Sequence, residues 1–237
     1  MEITTSSINN FYNSNIGEIV CKETIKKLSE ALIDQNLSKV CGLGYTSPYT
    51  KFFQELNHQS DIHEMVPDFL GGIIKFNSEL KQEVVDEYAL PVEPDTFDVI
   101  FLSHILELVE NPEKIIEEAQ RVLKPNGVLV SIVPRRSGLW TRYDNNPFGF
   151  GRSFSKKQIS YLLDPYFYSE RSYYYLFTPP WKHFINYKSS PFLEKIGPLT
   201  VPFLGGLKME ISKKIIYAKN LENKKKKQNI QRNLAPI

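Results

Sequence analysis

Between Pro94 and Val133 the spacing of apolar positions changes period. Phe97, Val99, Ile100, Phe101 and Leu102 form a near-continuous apolar run, the pattern of a parallel strand covered on both faces. Ile115, Ile116, Ala119, Val122 and Leu123 then recur at helical spacing, which predicts an amphipathic helix over residues 111–124 with one buried face. Asn111 suits its N-cap, Pro112 its first residue, and Glu113 the positive end of its dipole. Pro125-Asn126-Gly127 ends the helix and turns the chain into a second buried strand over 128–133, since proline and glycine cannot continue a helix without cost. Together these are a βαβ unit, for which a right-handed crossover is expected.

Upstream, Ser14 or Asn15 can cap a helix running to about residue 35, with Ile16, Ile19, Val20, Leu28, Ala31 and Leu32 near one face. Phe11 and Tyr12 precede it in an otherwise polar leader, either as a hydrophobic staple or as a flap over a pocket. The stretch 39–49 reads as a short strand, a glycine turn and a helix start, with Ser47 and Pro48 in N-cap and first-turn positions and Phe52, Phe53 and Leu56 following. A strand, a glycine turn and a helix N-terminus let backbone approach a nucleotide closely. Gly42 and Gly44 serve an ordinary βα turn equally well. Residues 60–66 form a second strand interrupted by Asp61, His63 and Glu64; Gly71-Gly72 marks a turn, and 83–86 is a short strand ending in Asp86.

After Val133 the periodicity lapses through residue 151, and a loop this long inside a compact domain is more often functional than accidental. Ser155 caps a short helix to Leu163, 167–177 is tyrosine-rich and strand-like, and 178–198 is helical or irregular cover broken by Pro179, Pro180 and Pro191. Residues 209–217 make the last strand. The expected organisation is one domain over 1–218, with an N-terminal helix at 15–35, a core at 38–133 and cover elements and final strands at 134–218.

Composition adds limits. Hydrophobic and charged fractions of 41% and 24% are those of a soluble globular protein. No stretch approaches the roughly 18 apolar residues of a membrane span, and no secretory leader opens the chain, so a cytoplasmic protein is expected. The formal charge of +2 divides into about +5 on residues 219–237 and −3 on the rest. A mildly acidic body offers no DNA-binding face, and the tail, with Lys224, Lys225, Lys226 and Lys227, reads as a solvated extension or an RNA or anionic-lipid contact. Cys21 and Cys41 fit a reducing compartment and have no metal-ligand spacing, nor do His58, His63, His104 and His183 cluster.

Several stretches then fall into one order: Asp86-x-x-x-Leu90-Pro91, Phe97-Asp98-Val99-Ile100, Ser103-His104-x-Leu106-Glu107, Asn111-Pro112-Glu113-Lys114, and residues 121–127, Arg-Val-Leu-Lys-Pro-Asn-Gly. With these the chain resembles the class I methyltransferases that use S-adenosyl-L-methionine, in their type 11 branch, over residues 39–133. The Arg-Arg-x-Gly-Leu-Trp and Asn-Pro-Phe-Gly-x-Gly-Arg text of 134–163 also resembles a methyltransferase-like subfamily common in alphaproteobacteria.

The resemblance implies an α/β, Rossmann-like, seven-stranded, mostly parallel sheet with helices on both faces and the cofactor outside the carboxyl strand ends. It places Gly42, Gly44 and Tyr45 under the methionine part of the cofactor, and Asp86, with Glu87 beside it, at the adenine. Ser103 and His104 line the methyl-donor side, and Glu64 is the nearest counterpart of the ribose-binding acid. The chain departs from the family pattern in having Gly42 where an acid is usual, Thr46 and Pro48 where glycines are usual, and Glu107-Leu108 in place of a Glu-His pair. The implied activity is methyl transfer to a small molecule; the departures keep open a catalytically silent cofactor-binding or protein-interaction domain, and the tail an RNA methyltransferase. Alignment of acceptor and methyl can suffice for this reaction. His104 is the candidate base, histidine being the side chain that ordinarily exchanges protons near neutrality, or else a pocket wall. Arg135, Arg136, Trp140, Arg142 and Tyr143 are candidates to recognise an anionic or aromatic acceptor, because guanidinium groups bind carboxylate or phosphate bidentately; a surface loop packing Trp140 on the domain is the other reading.

Overall fold

The computed structural model describes residues 3–72, 81–181 and 189–215. Two helices, α1 (Thr5–Tyr12) and α2 (Asn15–Leu32), lead into β1 (Lys39–Gly44), α3 (Ser47–Leu56), β2 (Asp61–Pro67) and β3 (Lys81–Val85). There follow β4 (Phe97–Ser103), α4 (Pro112–Val122), β5 (Leu123–Pro134), α5 (Lys156–Leu163), β6 (Phe167–Tyr175), α6 (Ser190–Thr200) and β7 (Leu207–Lys214). The strands form one seven-stranded sheet in the order β3-β2-β1-β4-β5-β7-β6. Neighbours from β3 through β5 pair parallel, and β7 runs antiparallel between β5 and β6.

All residues of β4 are buried, as its near-continuous apolar run requires of a strand covered on both faces. Val99 and Phe101 pack with Ile8, Tyr12, Val20, Leu28, Tyr49 and Phe53 from α1 to α3. Ile100 and Leu102 face the other way, onto Ile115, Ile116, Ala119, Ile159 and Leu162 from α4 and α5. The period of two along the strand thus divides the core into two layers. Asp98, at the start of this strand, accepts from the Lys39 N–H at 3.0 Å, from Asn36 at 3.1 Å and from Lys124 at 2.9 Å, tying β1 and β5 to β4.

The polar leader is itself a helix. Thr4 and Ser7 close a reciprocal capping box at the start of α1, which supplies the donors a first turn lacks. Helix α2 begins at its expected cap, Ser14, and ends at Leu32. Helix α4 stops at Val122 rather than running to residue 124: Leu123 is already extended and pairs with Phe97, and Asn126 has φ 63°. Residues 125–127 are therefore an irregularity within β5. Strand β6 ends at Tyr175, where Leu176 takes φ 64°, and β7 begins at Leu207, earlier than the apolar pattern indicated. His183 and the basic tail with Lys224–Lys227 lie outside the described residues.

Gly44 ends β1 at φ 101°, and a Cβ there would collide with the Ser103 carbonyl oxygen. Gly44→Ala is expected to cost about 3 kcal/mol or more, combining a left-handed backbone with a steric clash. Urea unfolding checks this, and a loss under about 1 kcal/mol would show that the joint accommodates a side chain.

Candidate active site at the carboxyl ends of β1 and β4

The order places β1 and β4 side by side with their onward connections leaving to opposite faces, the switch point at which open α/β sheets bind ligands. The Tyr45 N–H donates to the Ser103 carbonyl at 2.8 Å, holding the β1 turn on the end of β4. Ser47 is not the cap of α3: Thr46 holds that position without a side-chain bond, and the Ser47 hydroxyl instead donates to Glu64 at 3.1 Å. On the face of Gly42 the Thr46 side chain lies so close that a Cβ would strike it.

Glu64 does not stand at the end of β2. It pairs in register with Gly42, is buried, and its carboxylate accepts from Thr50, Ser47 and Gln82. Burial raises its pKa, and the bonds from Gln82 and Ser47 act in the opposite direction. The group is a strut between β2, β3 and α3, and Pro67 occupies the strand end expected of a ribose ligand. Asp86 follows β3 directly, is exposed, and accepts the Tyr88 N–H at 2.9 Å; Glu87 is half-buried beside it. The next turn is clamped to α4. Glu118 accepts the Leu90 N–H at 2.7 Å, while Arg121 donates to the carbonyls of Leu90 and Val92 at 3.0 and 2.8 Å. The Asp86 motif and the Arg121 motif are thereby one structural unit.

His104 is buried with φ 53°, a conformation that non-glycine residues adopt at a cost. Its Nε2 lies 2.9 Å from the Tyr12 hydroxyl, which in turn lies 2.9 Å from the Tyr49 hydroxyl. Its Nδ1 lies 3.2 Å from Glu107 Oε1. That approach is not aligned as a hydrogen bond: Ser103 Oγ, His104 Nδ1 and Glu107 Oε2 are buried without hydrogen-bond partners. Burial raises the Tyr12 and Tyr49 pKa values well above the ordinary phenol value, so both stay protonated at neutral pH. With Nδ1–H toward the Glu107 carboxylate, Nε2 is the acceptor and Tyr12 its donor.

Aromatic rings enclose this pair. Phe148 lies 4.8 Å from the His104 ring, Tyr12 and Tyr45 stack at 5.9 Å, and Phe11 bridges Trp140 and Phe148 edge-on at 6.2 and 6.0 Å. Of the two readings of Phe11 and Tyr12, these contacts favour the flap. Beside Tyr12 and Tyr45 opens a cavity of about 520 Å³ whose walls include Asn9, Cys21, Ile25, Ser47 and Pro48. The structure thus brings together Gly44, Tyr45, Ser103 and His104, leaves Asp86 and Glu87 two strands away, and adds Tyr12, Glu107 and Phe148.

The loop residues stand apart from that cavity. Trp140 is wholly buried and its indole N–H donates to the Thr178 carbonyl at 2.8 Å. Arg135 lies over the Tyr174 ring at 4.5 Å, Arg136 donates to the Ser153 carbonyl, Tyr143 meets Trp181, and Arg142 is exposed. Among the described residues no group of three or more metal-type side chains converges.

Residues 29–131 match the family model described as a methyltransferase domain. An uncharacterised protein of Methanocaldococcus jannaschii is 43% identical over 56 residues, 23% of this chain; the match spans about a quarter, 27%, of that curated relative's length. The solved PH0226 protein of Pyrococcus horikoshii superposes with a TM-score of 0.59 at 14% identity, over 86% of this chain and 93% of its own. A Thermotoga maritima protein described as a "SAM-dependent methyltransferase, possible histamine N-methyltransferase" gives 0.55 at 15% identity, over 89% of this chain and 99% of its own. The fold is that of the class I methyltransferases, and the segment that matches the family model runs from α2 into β5.

Because the folded pKa of Glu64 is raised, its contribution favours the fold below the ordinary carboxyl value and weakens as pH rises from there toward the raised value. Glu64→Gln is expected to flatten that decline in urea-unfolding free energy and to leave the protein at least as stable at pH 7. Burial also pushes the Cys21 thiol up to about 11, so alkylation at pH 8 should run about 100-fold slower than at an exposed cysteine; a rate within about threefold would show the thiol to be free in solution.

Proposed function

We propose that this chain is an S-adenosylmethionine-dependent methyltransferase acting on a small-molecule acceptor. One observation carries the reading: three buried polar atoms without hydrogen-bond partners, on Ser103, His104 and Glu107, lie at the end of β4 against the glycine turn of β1. Buried polar atoms are nearly always satisfied by protein, water or ligand, and here they stand at the switch point of the sheet. These residues fit a polar ligand. Gly44, Tyr45, Ser103 and His104 would hold its methionine end, and the exposed Asp86 with Glu87 its adenine end. When bound, the cofactor supplies an electrophilic methyl group on a sulfonium.

The protein's own part is positioning and one proton. Glu107 faces Nδ1 and leaves Nε2 as the acceptor, a place now taken by the Tyr12 hydroxyl. An acceptor hydroxyl or amine seated in place of that phenol would give its proton to the same nitrogen. The cavity beside Tyr12 and Tyr45 is of the size that holds small molecules. Its wall contains none of Arg135, Arg136 or Arg142; its charged groups are Glu18 and Lys22, beside the aromatic Tyr12 and Tyr45.

A second reading, a catalytically silent domain, is favoured by Thr46 closing the face of Gly42 and by Glu64 being consumed as a strut. Calorimetric titration with S-adenosylmethionine and its demethylated product tests the cofactor site, and transfer to an acceptor then separates an active enzyme from a silent cofactor-binding domain. Binding of either is expected, with Asp86→Ala weakening it at least tenfold and Glu64→Gln changing it less than about threefold; no binding at millimolar concentration leaves the silent reading. With an acceptor found by screening amines and phenols, His104→Ala should lower transfer at saturating cofactor about 100-fold or more, beyond any loss in cofactor affinity.

A further inference from the structure

Helix α6 is amphipathic the wrong way round. Residues 190, 194 and 197 share its inner face. The Ser190 hydroxyl lies 2.8 Å from that of Thr178, Glu194 accepts the N–H groups of Leu176 and Thr178 at 3.0 and 2.8 Å, and Gly197 lies so tightly on the Phe177 ring that a Cβ would collide. The polar groups are needed there, because the chain leaves β6 through the left-handed Leu176 and its amides have no strand partner. The outer face, at spacing i, i+4, i+7, carries Phe192, Ile196 and Leu199, and Phe203 follows in the next turn. Phe192, Leu199 and Phe203 are 63%, 83% and 56% exposed. A surface helix ordinarily buries its apolar stripe, and a contiguous exposed one marks an interaction face.

Its surroundings indicate what covers it. The outward charge on α6 is Lys195; the helix's one acid, Glu194, is turned inward and bonded. The turn after α6 is fastened to the arginine loop, with Arg135 donating to the Pro202 carbonyl and Ser137 to that of Phe203. Side chains as exposed as Leu199 stand proud of the surface instead of lining a groove. Protruding Phe and Leu beside an outward lysine, with no outward acid on the helix, suit an element that lies in the interface of an anionic bilayer.

We infer that α6 and the turn through Phe203 dock this protein on an anionic lipid surface, seating Phe192, Leu199 and Phe203 among the acyl chains and Lys195 against phosphate headgroups. The docking does not depend on cofactor use. It needs no spanning segment, and no described helix is long and apolar enough to cross a membrane.

Flotation of the full chain with vesicles of phosphatidylcholine alone, or with about one third phosphatidylglycerol, tests this. The protein is expected to float with the anionic vesicles and to be released by high salt. Lys195→Glu should lower the bound fraction about fivefold or more, and the double variant Leu199→Ser/Phe203→Ser should abolish it with an unchanged urea midpoint. The inference fails if the chain does not float, or if both variants float as well as the parent. It fails equally if only deletion after Leu221 removes binding, which would assign it to the lysine run. A dimer that the double variant converts to monomer would make a second copy the occupant and overturn it too.

Discussion

The Ser103 carbonyl is the point on which the site depends. It receives the Tyr45 N–H, and its closeness leaves no room for a side chain on Gly44, so the end of β4 and the turn after β1 are locked as one surface. Everything assembled above it inherits that position. Tyr45 is held where Tyr12 can stack on it, Tyr12 is thereby brought to His104, and the Thr5 hydroxyl, against the Leu70 and Gly72 carbonyls, ties the start of α1 to the chain after β2.

The strained backbone at His104 fits this view. A left-handed histidine at full burial persists only where its surroundings hold it, and here Tyr12, Glu107 and Phe148 contact it from different elements. Glu107 is in turn placed by the arginine and glycine text downstream: its backbone carbonyl accepts the Arg152 N–H at 2.7 Å, and a side chain on Gly151 would strike the same oxygen. The long loop after β5 therefore supports the site through backbone contacts while its arginines point elsewhere.

Buried charge elsewhere serves the scaffold. Glu64 joins β2, β3 and α3, and Lys208 with Glu210 forms a buried pair at 2.6 Å on β7, with Ser169 and Ser172 of β6 donating to the same carboxylate. Breaking such a pair one partner at a time leaves an uncompensated buried charge and is costly. An acid in a sequence motif can thus be a structural tie, as Asp98 is to Lys124, as readily as a ligand.

The architecture was legible along the chain because period is a local property. The apolar run of β4, the stripe of α4, the caps at Ser14 and Ser155 and the seven-stranded, mostly parallel sheet implied by the motif resemblance all appear as expected. Boundaries set by competition were not: α4 gives up Leu123 because that residue pairs with Phe97. The site was half legible. Gly44, Tyr45, Ser103 and His104 come together because they are the last residues of adjacent strands and the turn between, which strand order alone dictates. Tyr12 was left between two uses, and Glu64, read as the nearest counterpart of a ribose-binding acid, has its carboxylate engaged by Thr50, Ser47 and Gln82. Only packing could decide both, since a side chain's partners come from whatever the folded chain sets against it, at separations of 92 residues for Tyr12 and His104.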